Sequence, residues 1–419
     1  MSHSAERSAA PLRVLHIWYA DYPWDVRVEK VIAALSGAGM EVHLVARNVR
    51  NRPPRETLDG AEVHRMKWIR TWPAISSLVN VVSSLPAFLN PRWILHIRRA
   101  ARLTRPDLIL VRDLPLAPAA IWIGRRLGIP VVLDMAENYP GFLRTLRNTG
   151  ALRGVDLLVR NPWLATRVER YVVRRAQAVI CVIEESAQRL TELGVPESRL
   201  AVVRNTPRID TPSAAASRAD AGSVLTVVYL GLVERHRGVQ DLVRAVAQGR
   251  QHGLQLRLVV IGDGASFGEL QGLARDLGVL DSGVELLGRL ENRHALDIVA
   301  RADVGAIPHM PCDAWDATIP NKLFDYMSLG LPVITSNVRP VERIVLQEAC
   351  GLAYQWGNID DLCSKLGALR SAAERQKMGD AGRRAVHSKY NWSYDGGVLS
   401  RTLLAVHDSY LTARAHGGR

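Results

Sequence analysis

Short apolar runs alternate with amphipathic stretches along most of the chain. Residues 13–19 (RVLHIWY) and 41–47 (EVHLVAR) are apolar runs of the kind found in buried strands, and the residues between them repeat apolar side chains at helical spacing. Asp25 precedes this helical stretch and is a suitable N-cap. The opening therefore predicts a β-α-β unit, which favours a parallel sheet with helices on both faces.

The same pattern continues through both halves of the chain. Further strands are predicted at 61–67, 107–113, 130–136, 178–184, 224–231, 256–262, 284–288 and 303–308. A segment rich in Pro, Ala, Ser and Asp, residues 209–222, interrupts the series and resembles a linker. We therefore expect two α/β domains, 1–208 and 223–392, whose sheets face a central cleft, and a last helix at 393–419 that crosses back to the first domain.

One uncharged segment, residues 71–91, departs from this alternation. Prolines interrupt it, so a membrane-spanning helix is not expected. Arginines follow it closely at 92–105. Two interpretations stay open: a buried helix and loop of the first domain, or a segment that lies in a membrane interface beside those arginines.

Composition places the chain among globular proteins. Its 419 residues exceed what one core usually holds, and 47% are hydrophobic while 23% are charged. The net charge of +13 is mostly arginine and suits nucleotides, phospholipid surfaces or nucleic acid, although an arginine-rich coding bias would give the same excess. The first ten residues are polar, so we expect no signal peptide and a cytoplasmic protein, with contact at the inner face of an anionic membrane as an open alternative.

Cysteine and histidine spacing gives no metal motif. The four cysteines are scattered without a CxxC pair, and no histidine stands at zinc-ligand spacing from them. We expect free thiols and no metal site.

Two glycine-rich strand ends in the second half are candidates for phosphate binding. In GLVERHRG, Gly231 ends a strand, and Arg235 and Arg237 precede the start of a helix, where backbone N–H groups and a guanidinium could bind a diphosphate. In GDG, Gly262 and Gly264 would let the backbone approach a ligand. The full GxGxxG motif is absent, which disfavours nicotinamide binding. Taken singly, the GDG run could be an ordinary turn and Arg237 a surface charge.

A third strand-end candidate is the stretch 319–335, IPNKLFDYMSLGLPVIT, which predicts a turn, a short helix and a buried strand. Lys322 and Asp325 share one helical face, whereas apolar residues occupy the other. Lys322 and the helix N-terminus could bind phosphate, and Asp325 could bind the two hydroxyls of a ribose. An amphipathic helix with an ordinary exposed Lys and Asp is the alternative. His309, after the strand at 303–308, could contact a donor sugar or could be structural.

Together the three strand ends predict a nucleoside diphosphate bound by the second domain, and no nucleic-acid partner is expected. The first domain would then bind another substrate. Four of its residues lie in loops after predicted strands and are candidates for the acceptor side: Asp25, Arg27, Glu137 and Asn138. Glu137 is the strongest of them because a carboxylate can orient an acceptor hydroxyl, although a salt bridge with a nearby arginine explains it equally well.

Several motifs occur in an order that resembles a known family. VVYLGLVERHRGVQDLVRAV, LRLVVIGDG, VELLGRL and IPNKLFDYMSLGLPVIT resemble the carboxyl-terminal half of the family-four retaining glycosyltransferases of the GT-B fold. DYPWDVRVEKVIAAL, VVLDMAENYPGF and AVICVIEES are similar to the amino-terminal half, so the resemblance spans about 12–410. It implies two Rossmann-like domains and metal-independent sugar transfer from a nucleotide donor with retained anomeric configuration, without a further cofactor.

By position, the resemblance makes Asp325 the second carboxylate of the family's acidic pair, which binds the ribose, and places Arg237 where the family usually has a phosphate-binding lysine. Two positions depart from the pattern, since Ala317 stands at the first carboxylate and Leu232 at the usual arginine. Asp313 or Asp316 could replace the carboxylate, and Lys322 the arginine. The remaining donor-side candidates are Thr318, Ile319, Pro320 and Asn321.

The leading interpretation is an enzyme, a glycosyltransferase that acts on a lipid-linked or polysaccharide acceptor. Glu137, Arg237 and Lys322 are its candidate catalytic residues. The leaving diphosphate would take the acceptor's proton, and the protein would stabilise the charge of that diphosphate. A nucleotide-sugar epimerase of the same fold, and a catalytically silent protein that binds nucleotide sugars or polyanions, remain alternatives.

Overall fold

The computed structural model describes residues 10–417 apart from 24, 68, 70–78, 80–87, 149–160, 210–223 and 314. Most of the uncharged segment 71–91 and of the predicted linker 209–222 thus lies outside the described residues. The chain divides into two compact units. The first unit comprises Met1–Arg204 and Ser393–Arg419, and the second comprises Asn205–Trp392.

The first unit contains an eight-stranded sheet. Its strands are β1 (Arg13–Asp21), β2 (Glu41–Arg47), β3 (Arg55–Leu58), β4 (Ala61–Arg65), β5 (Leu108–Arg112), β6 (Val131–Met135), β7 (Ala178–Cys181) and β8 (Leu200–Val202). They lie in the order β3-β4-β2-β1-β5-β6-β7-β8, and only β3 is antiparallel to its neighbour. The strand order reverses between β1 and β5, and such a reversal opens a crevice at the carboxyl ends of the strands.

Helices cover this sheet and complete the core of the first unit. They are α1 (Val26–Gly37), α2 (Pro91–Thr104), α3 (Ala117–Leu127), α4 (Tyr139–Asn148), α5 (Pro162–Val173) and α6 (Glu184–Glu192). The predicted N-cap is confirmed, because the Asp25 side chain accepts a hydrogen bond of 2.9 Å from the Val28 N–H. Buried aliphatic side chains of the strands pack with Trp93 and Ile97 of α2 and with alanines of α3.

The second unit contains a six-stranded sheet that is parallel throughout. Its strands are β9 (Leu225–Leu230), β10 (Leu256–Ile261), β11 (Val284–Gly288), β12 (Val304–Ile307), β13 (Val333–Ser336) and β14 (Gly351–Tyr354). They lie in the order β11-β10-β9-β12-β13-β14, so the strand order reverses between β9 and β12.

Among its described residues, the second unit has seven helices, and a final helix follows them in the chain. They are α7 (Val239–Gln251), α8 (Phe267–Asp276), α9 (Asn292–Ala300), α10 (Lys322–Ser328), α11 (Arg339–Gln347), α12 (Ile359–Ala368), α13 (Ala372–Ser388) and α14 (Trp392–Gly417). Helix α14 begins at the last residue of the second unit, and the rest of it belongs to the first. Among the residues that the structure describes, no helix is long and apolar enough to cross a membrane.

Candidate functional site

Polar side chains of the second unit gather where the strand order reverses. Gly231 follows β9, and the chain then forms a short 3-10 turn, Arg235–Arg237, before α7 begins. His309 follows β12, the other strand at the reversal. Helix α10, which carries Lys322, packs on the same region, because the Tyr326 hydroxyl accepts the Leu230 N–H at 2.9 Å. The carboxyl ends of β9 and β12 therefore present basic residues from three segments.

Lys322 is the most unusual residue of this cluster. The side chain is buried, with 7% of the residue exposed, and its ammonium lies 3.8 Å from the centre of the Tyr229 ring. Within the described part of the chain, Nζ has no hydrogen-bond partner. Burial lowers the pKa of Lys322 well below its usual value, Arg237 lowers it further, and Asp325 raises it in part. A buried cation in this state is costly unless an anion binds to it.

Arg237, Trp315 and His309 adjoin Lys322. The Arg237 guanidinium lies 5.0 Å from the centre of the Trp315 ring, and the centres of the Trp315 and His309 rings are 4.1 Å apart. His309 is fully buried, and neither ring nitrogen has a hydrogen-bond partner among the described residues. Burial lowers the pKa of His309 well below its usual value, and the charges of Lys322 and Arg237 act in the same direction. The imidazole is therefore neutral at physiological pH.

A cavity of about 870 Å³ opens beside the cluster at the ends of β9 and β10. This volume is typical of small-molecule sites. Its lining comprises Leu230, Gly231, Leu232, Ile261, Gly262, Asp263, Gly264, Arg289, Leu290, Glu291 and Ala295. A Cβ atom at Gly231 would lie 3.0 Å from Lys322 Nζ, so the cavity and the buried ammonium meet at this glycine.

The structure gives a second reason for the glycines of the GDG turn. Gly262 has φ +142°, and a Cβ there would lie 1.9 Å from the Gly231 carbonyl oxygen. A Cβ at Gly264 would lie 2.4 Å from the Val233 carbonyl oxygen. The two loops thus pack backbone against backbone, which by itself requires glycine at both positions.

Helix α10 differs from its predicted form. Lys322 is buried like the apolar residues beside it, although slightly more exposed than they are, and Asp325 is half-buried. The helix has only seven residues, so its dipole would give little support to a phosphate. The Asn321 side chain makes no N-cap bond and instead accepts a hydrogen bond of 3.0 Å from Asn205 Nδ2.

The residues just before α10 form a second 3-10 turn, Trp315–Ala317. Ala317 is buried, Asp316 is half-buried and Asp313 is exposed. Of the remaining donor-side candidates, Ile319 is buried while Thr318 and Pro320 are half-buried. Arg235 is exposed, whereas the Arg237 side chain retains 19% exposure, so Arg237 is better placed beside Lys322.

In the first unit, a charged cluster lies where β1 and β5 end. Arg112 forms an ion pair with Asp25, its Nε lies 3.5 Å from Asp113 Oδ2, and its guanidinium lies 4.5 Å from the centre of the Trp18 ring. Asp113 is buried and has φ +58°, and burial is the main reason that its pKa rises to about 7. Sequence reasoning missed Asp113, although an aspartate at the end of a predicted strand is a signal for such a site.

The other acceptor-side candidates have different environments. Arg27 is buried and donates to Asp134 at 2.6 and 3.1 Å and to the Val203 carbonyl oxygen, so a structural role explains its position. Asn138 is also buried, and its Oδ1 accepts the Gly141 N–H at 3.0 Å near the start of α4. Glu137 is exposed. Of these candidates, Glu137 is thus the most accessible to a substrate.

Comparisons with known proteins define the class. Residues 25–206 match the family described as glycosyl transferase 4-like domain, and residues 224–371 match glycosyl transferases group 1. The protein is thus a glycosyltransferase of the GT-B type. More narrowly, the chain belongs to the family-four glycosyltransferases, which confirms the resemblance in its motifs.

Among the relatives are two that are about a quarter identical to the chain over the aligned residues. The glycogen synthase of Mycobacterium tuberculosis is 24% identical over 305 residues, which cover 72% of this chain and 69% of that protein. A GDP-mannose-dependent monoacylated alpha-(1-6)-phosphatidylinositol monomannoside mannosyltransferase of Corynebacterium glutamicum is 27% identical over 273 residues, which cover 63% of this chain and 65% of that protein.

Solved structures support the fold. Sucrose-phosphate synthase from Thermosynechococcus elongatus has a TM-score of 0.70 at 19% identity, covering 94% of this chain and 99% of that one. HepE from Anabaena in complex with UDP has a TM-score of 0.65 at 15% identity, covering 94% of this chain and 100% of that one. These similarities confirm the predicted GT-B architecture of two α/β domains with parallel sheets.

Proposed function

We propose that the protein transfers a sugar from a UDP- or GDP-linked donor to a lipid-linked or polysaccharide acceptor and retains the anomeric configuration. The main support for a nucleotide-sugar donor is Lys322. Its ammonium is buried, has no hydrogen-bond partner among the described residues, and lies beside a cavity of about 870 Å³. A diphosphate is the ligand that such a site would favour, because it supplies negative charge and several hydrogen-bond acceptors.

The proposed chemistry depends on electrostatic stabilisation of the leaving diphosphate. Lys322 and Arg237 would bind its oxygens, and Asp325 would accept hydrogen bonds from the ribose hydroxyls. Because the two cations supply the positive charge, we propose a reaction that requires no metal ion. The diphosphate would take the proton of the acceptor hydroxyl on the face of the sugar that it leaves.

Asp316 is our candidate for the carboxylate that Ala317 cannot supply. Asp316 is half-buried and adjoins Trp315, whose ring contacts both Arg237 and His309. Asp313, by contrast, is exposed. In the first unit, we propose that Glu137 orients the acceptor hydroxyl.

The acceptor class rests on different observations. The mannosyltransferase relative is named for a phosphatidylinositol-linked substrate. In this chain, the outer face of α2 exposes Leu95 and Leu103 beside Arg98, Arg99 and Arg102. Apolar and cationic side chains on one helical face suit contact with an anionic lipid surface, so we propose that the protein works at the cytoplasmic face of a membrane.

A donor panel tests the proposed reaction. The protein is incubated with UDP- and GDP-linked sugars and a crude lipid extract, with and without EDTA, and products are identified by mass and by NMR of the new anomeric centre. We expect a sugar-sized mass gain on an acceptor, retained configuration and no effect of EDTA. Donor isomerisation alone would instead identify an epimerase, and nucleotide binding without turnover would identify a silent binding protein.

Vesicle flotation tests the membrane part separately. We expect the protein to float with anionic vesicles, and the triple variant Arg98→Gln, Arg99→Gln, Arg102→Gln to float much less. A control variant, Arg370→Gln with Arg384→Gln, removes two exposed arginines of the second unit and should float like the parent protein. Equal flotation of all three proteins would contradict a role for α2.

A further inference from the structure

The tripeptide Glu-Val-His occurs twice in the first unit, at 41–43 in β2 and at 62–64 in β4. These strands are parallel neighbours, and their register pairs His43 with Glu62. Residues two apart in a strand point to the same face. His43, Glu62 and His64 therefore share one face of the sheet, although the two tripeptides are far apart in sequence.

The three side chains converge on one point. Glu62 Oε2 lies 3.2 Å from His43 Nδ1 and 3.6 Å from His64 Nε2, and the three potential ligand atoms all lie within 4.8 Å of one another. Zinc binds imidazole nitrogen and carboxylate oxygen at about 2.0–2.2 Å, so neighbouring ligands of a tetrahedral ion are roughly 3.4 Å apart. The two separations from Glu62 Oε2, 3.2 and 3.6 Å, lie close to this value.

The surroundings also suit a metal ligand set. Both imidazoles are buried, whereas the Glu62 side chain is 40% exposed, which leaves an approach from solvent. On the far side of His43, Nε2 lies 2.9 Å from Glu41 Oε1, as in the carboxylate–histidine–metal arrangements in which an outer carboxylate orients the ligand.

Two other groups adjoin the cluster. Arg55 of β3 pairs with His64 in the register, but it is exposed and can extend into solvent. His96 of α2 lies with Nε2 3.0 Å from the His64 carbonyl oxygen, to which it donates. His96 is thus engaged with the backbone and is not part of the ligand set.

We infer that the first unit binds one divalent zinc ion through His43 Nδ1, His64 Nε2 and the Glu62 carboxylate, with water as the fourth ligand. The ion would link β2 to β4 near the edge of the sheet and stabilise that edge. It has no part in the proposed sugar transfer, whose candidate cations lie in the second unit. A related ion of the same series would use the same ligands, with Cu²⁺ binding more tightly than Zn²⁺.

Zinc titration tests the inference on the full chain without an affinity tag. After treatment with a chelator, Zn²⁺ is added in competition with a chromophoric chelator, and bound metal is measured by mass spectrometry. We expect one ion per chain, loss of this site in His43→Gln and in His64→Gln, and about 10–100-fold weaker binding in Glu41→Gln, which removes only the outer carboxylate. His96→Gln is the matched control and should bind like the parent protein.

Two further measurements keep the test independent of how well the variants fold. Zinc should raise the unfolding temperature of the parent protein and of His96→Gln, but not that of Glu62→Gln. X-ray absorption of the parent protein should show a nitrogen and oxygen shell with two imidazoles. Three results would overturn the inference: a sulfur shell, no zinc binding at micromolar concentration, or zinc binding by His43→Gln and His64→Gln as tight as that of the parent protein. If no zinc binds, His43 only bridges Glu41 and Glu62.

Discussion

Replacing Lys322 with methionine should weaken diphosphate binding and stabilise the free protein. The two effects have one cause. In the free protein, the Lys322 ammonium is buried without a hydrogen-bond partner among the described residues, so it opposes folding. When a diphosphate binds, the same ammonium gains charged hydrogen bonds. Methionine keeps most of the side-chain volume over the Tyr229 ring and removes only the charge.

The expected magnitudes follow from the contacts. Hydrogen bonds to charged groups contribute about 1.5–3 kcal/mol, so UDP or GDP should bind roughly 10–150-fold more weakly to Lys322→Met. Removing an uncompensated buried charge should stabilise the free protein by about 0.5–2 kcal/mol. The cation–π contact with Tyr229 already offsets part of the cost, which argues for the lower half of that range.

The protonation state of Lys322 adds a second signature. The pKa of Lys322 is lower in the folded state than in the unfolded state. Between these two pKa values the unfolded chain binds the proton and the folded protein does not, so the stability of the folded protein rises with pH. This rise should be smaller in Lys322→Met. A bound diphosphate should raise the pKa again, so binding to the parent protein at alkaline pH should be accompanied by proton uptake.

Calorimetry in two buffers of different ionisation enthalpy measures both affinity and proton uptake, and urea unfolding at several pH values measures stability. Lys377→Met is the matched control, because this lysine is exposed and lies in the same unit. Uridine and guanosine, which lack the diphosphate, should bind the parent protein and Lys322→Met equally. Unchanged affinity for UDP and GDP, or a less stable Lys322→Met protein, would refute the assignment of Lys322 as a diphosphate ligand.

Two further predictions concern single positions. Gly262→Ala should lower the free energy of unfolding by about 2 kcal/mol or more, because Gly262 has φ +142° and its new Cβ would lie 1.9 Å from a carbonyl oxygen. Gly272→Ala, in open space within α8, should instead raise the free energy of unfolding by roughly 0.5–1 kcal/mol. Equal effects of the two variants in urea unfolding would contradict the packing argument. Asp113→Asn should stabilise the protein at pH 8 by about 1–3 kcal/mol and have little effect near pH 4. The folded state keeps the Asp113 proton up to about pH 7, whereas the unfolded state loses it near pH 4. Between about pH 4 and 7, Asp113 therefore lowers the stability of the parent protein as the pH rises, and the Asp113→Asn variant has no such effect. Parallel stability profiles of the two proteins between pH 4 and 8 would contradict the raised pKa of Asp113.

The sheets were predictable from sequence because most of their strands are buried on both faces. Such strands appear in the sequence as continuous apolar runs, and β1, β2, β5, β6, β7, β9, β10, β12 and β13 were all found in this way. Strands β4 and β11 were also predicted, although both are partly exposed. Strand β3 (RETL) was missed because it is a short polar edge strand, and β14 (GLAY) because four residues next to a helix carry little pattern.

The candidate site was predictable only in part, because pattern rules assign polar residues to the outside. They placed Lys322 with Asp325 on the helical face opposite the core, where it would meet a ligand or solvent, and the structure buries the Lys322 side chain against Tyr229. They missed Asp113, whose environment depends on neighbours from other strands. The pair of Glu-Val-His tripeptides was visible, but its meaning depended on the register of β2 and β4, which the sequence does not specify.

The packing around β9 explains how a buried cation can be held ready for its ligand. The Tyr229 hydroxyl donates to the Leu232 carbonyl oxygen at 2.6 Å, which fixes the loop after β9, and the same ring lies under the Lys322 ammonium. A Cβ at Gly305 would lie only 2.5 Å from the Tyr326 ring, which shows that this ring is closely packed. The hydroxyl of the same tyrosine accepts a hydrogen bond from the Leu230 N–H at the end of β9. Because these contacts exist before any ligand binds, Lys322 needs little reorganisation to stabilise developing negative charge, which is the condition under which electrostatic stabilisation is most effective.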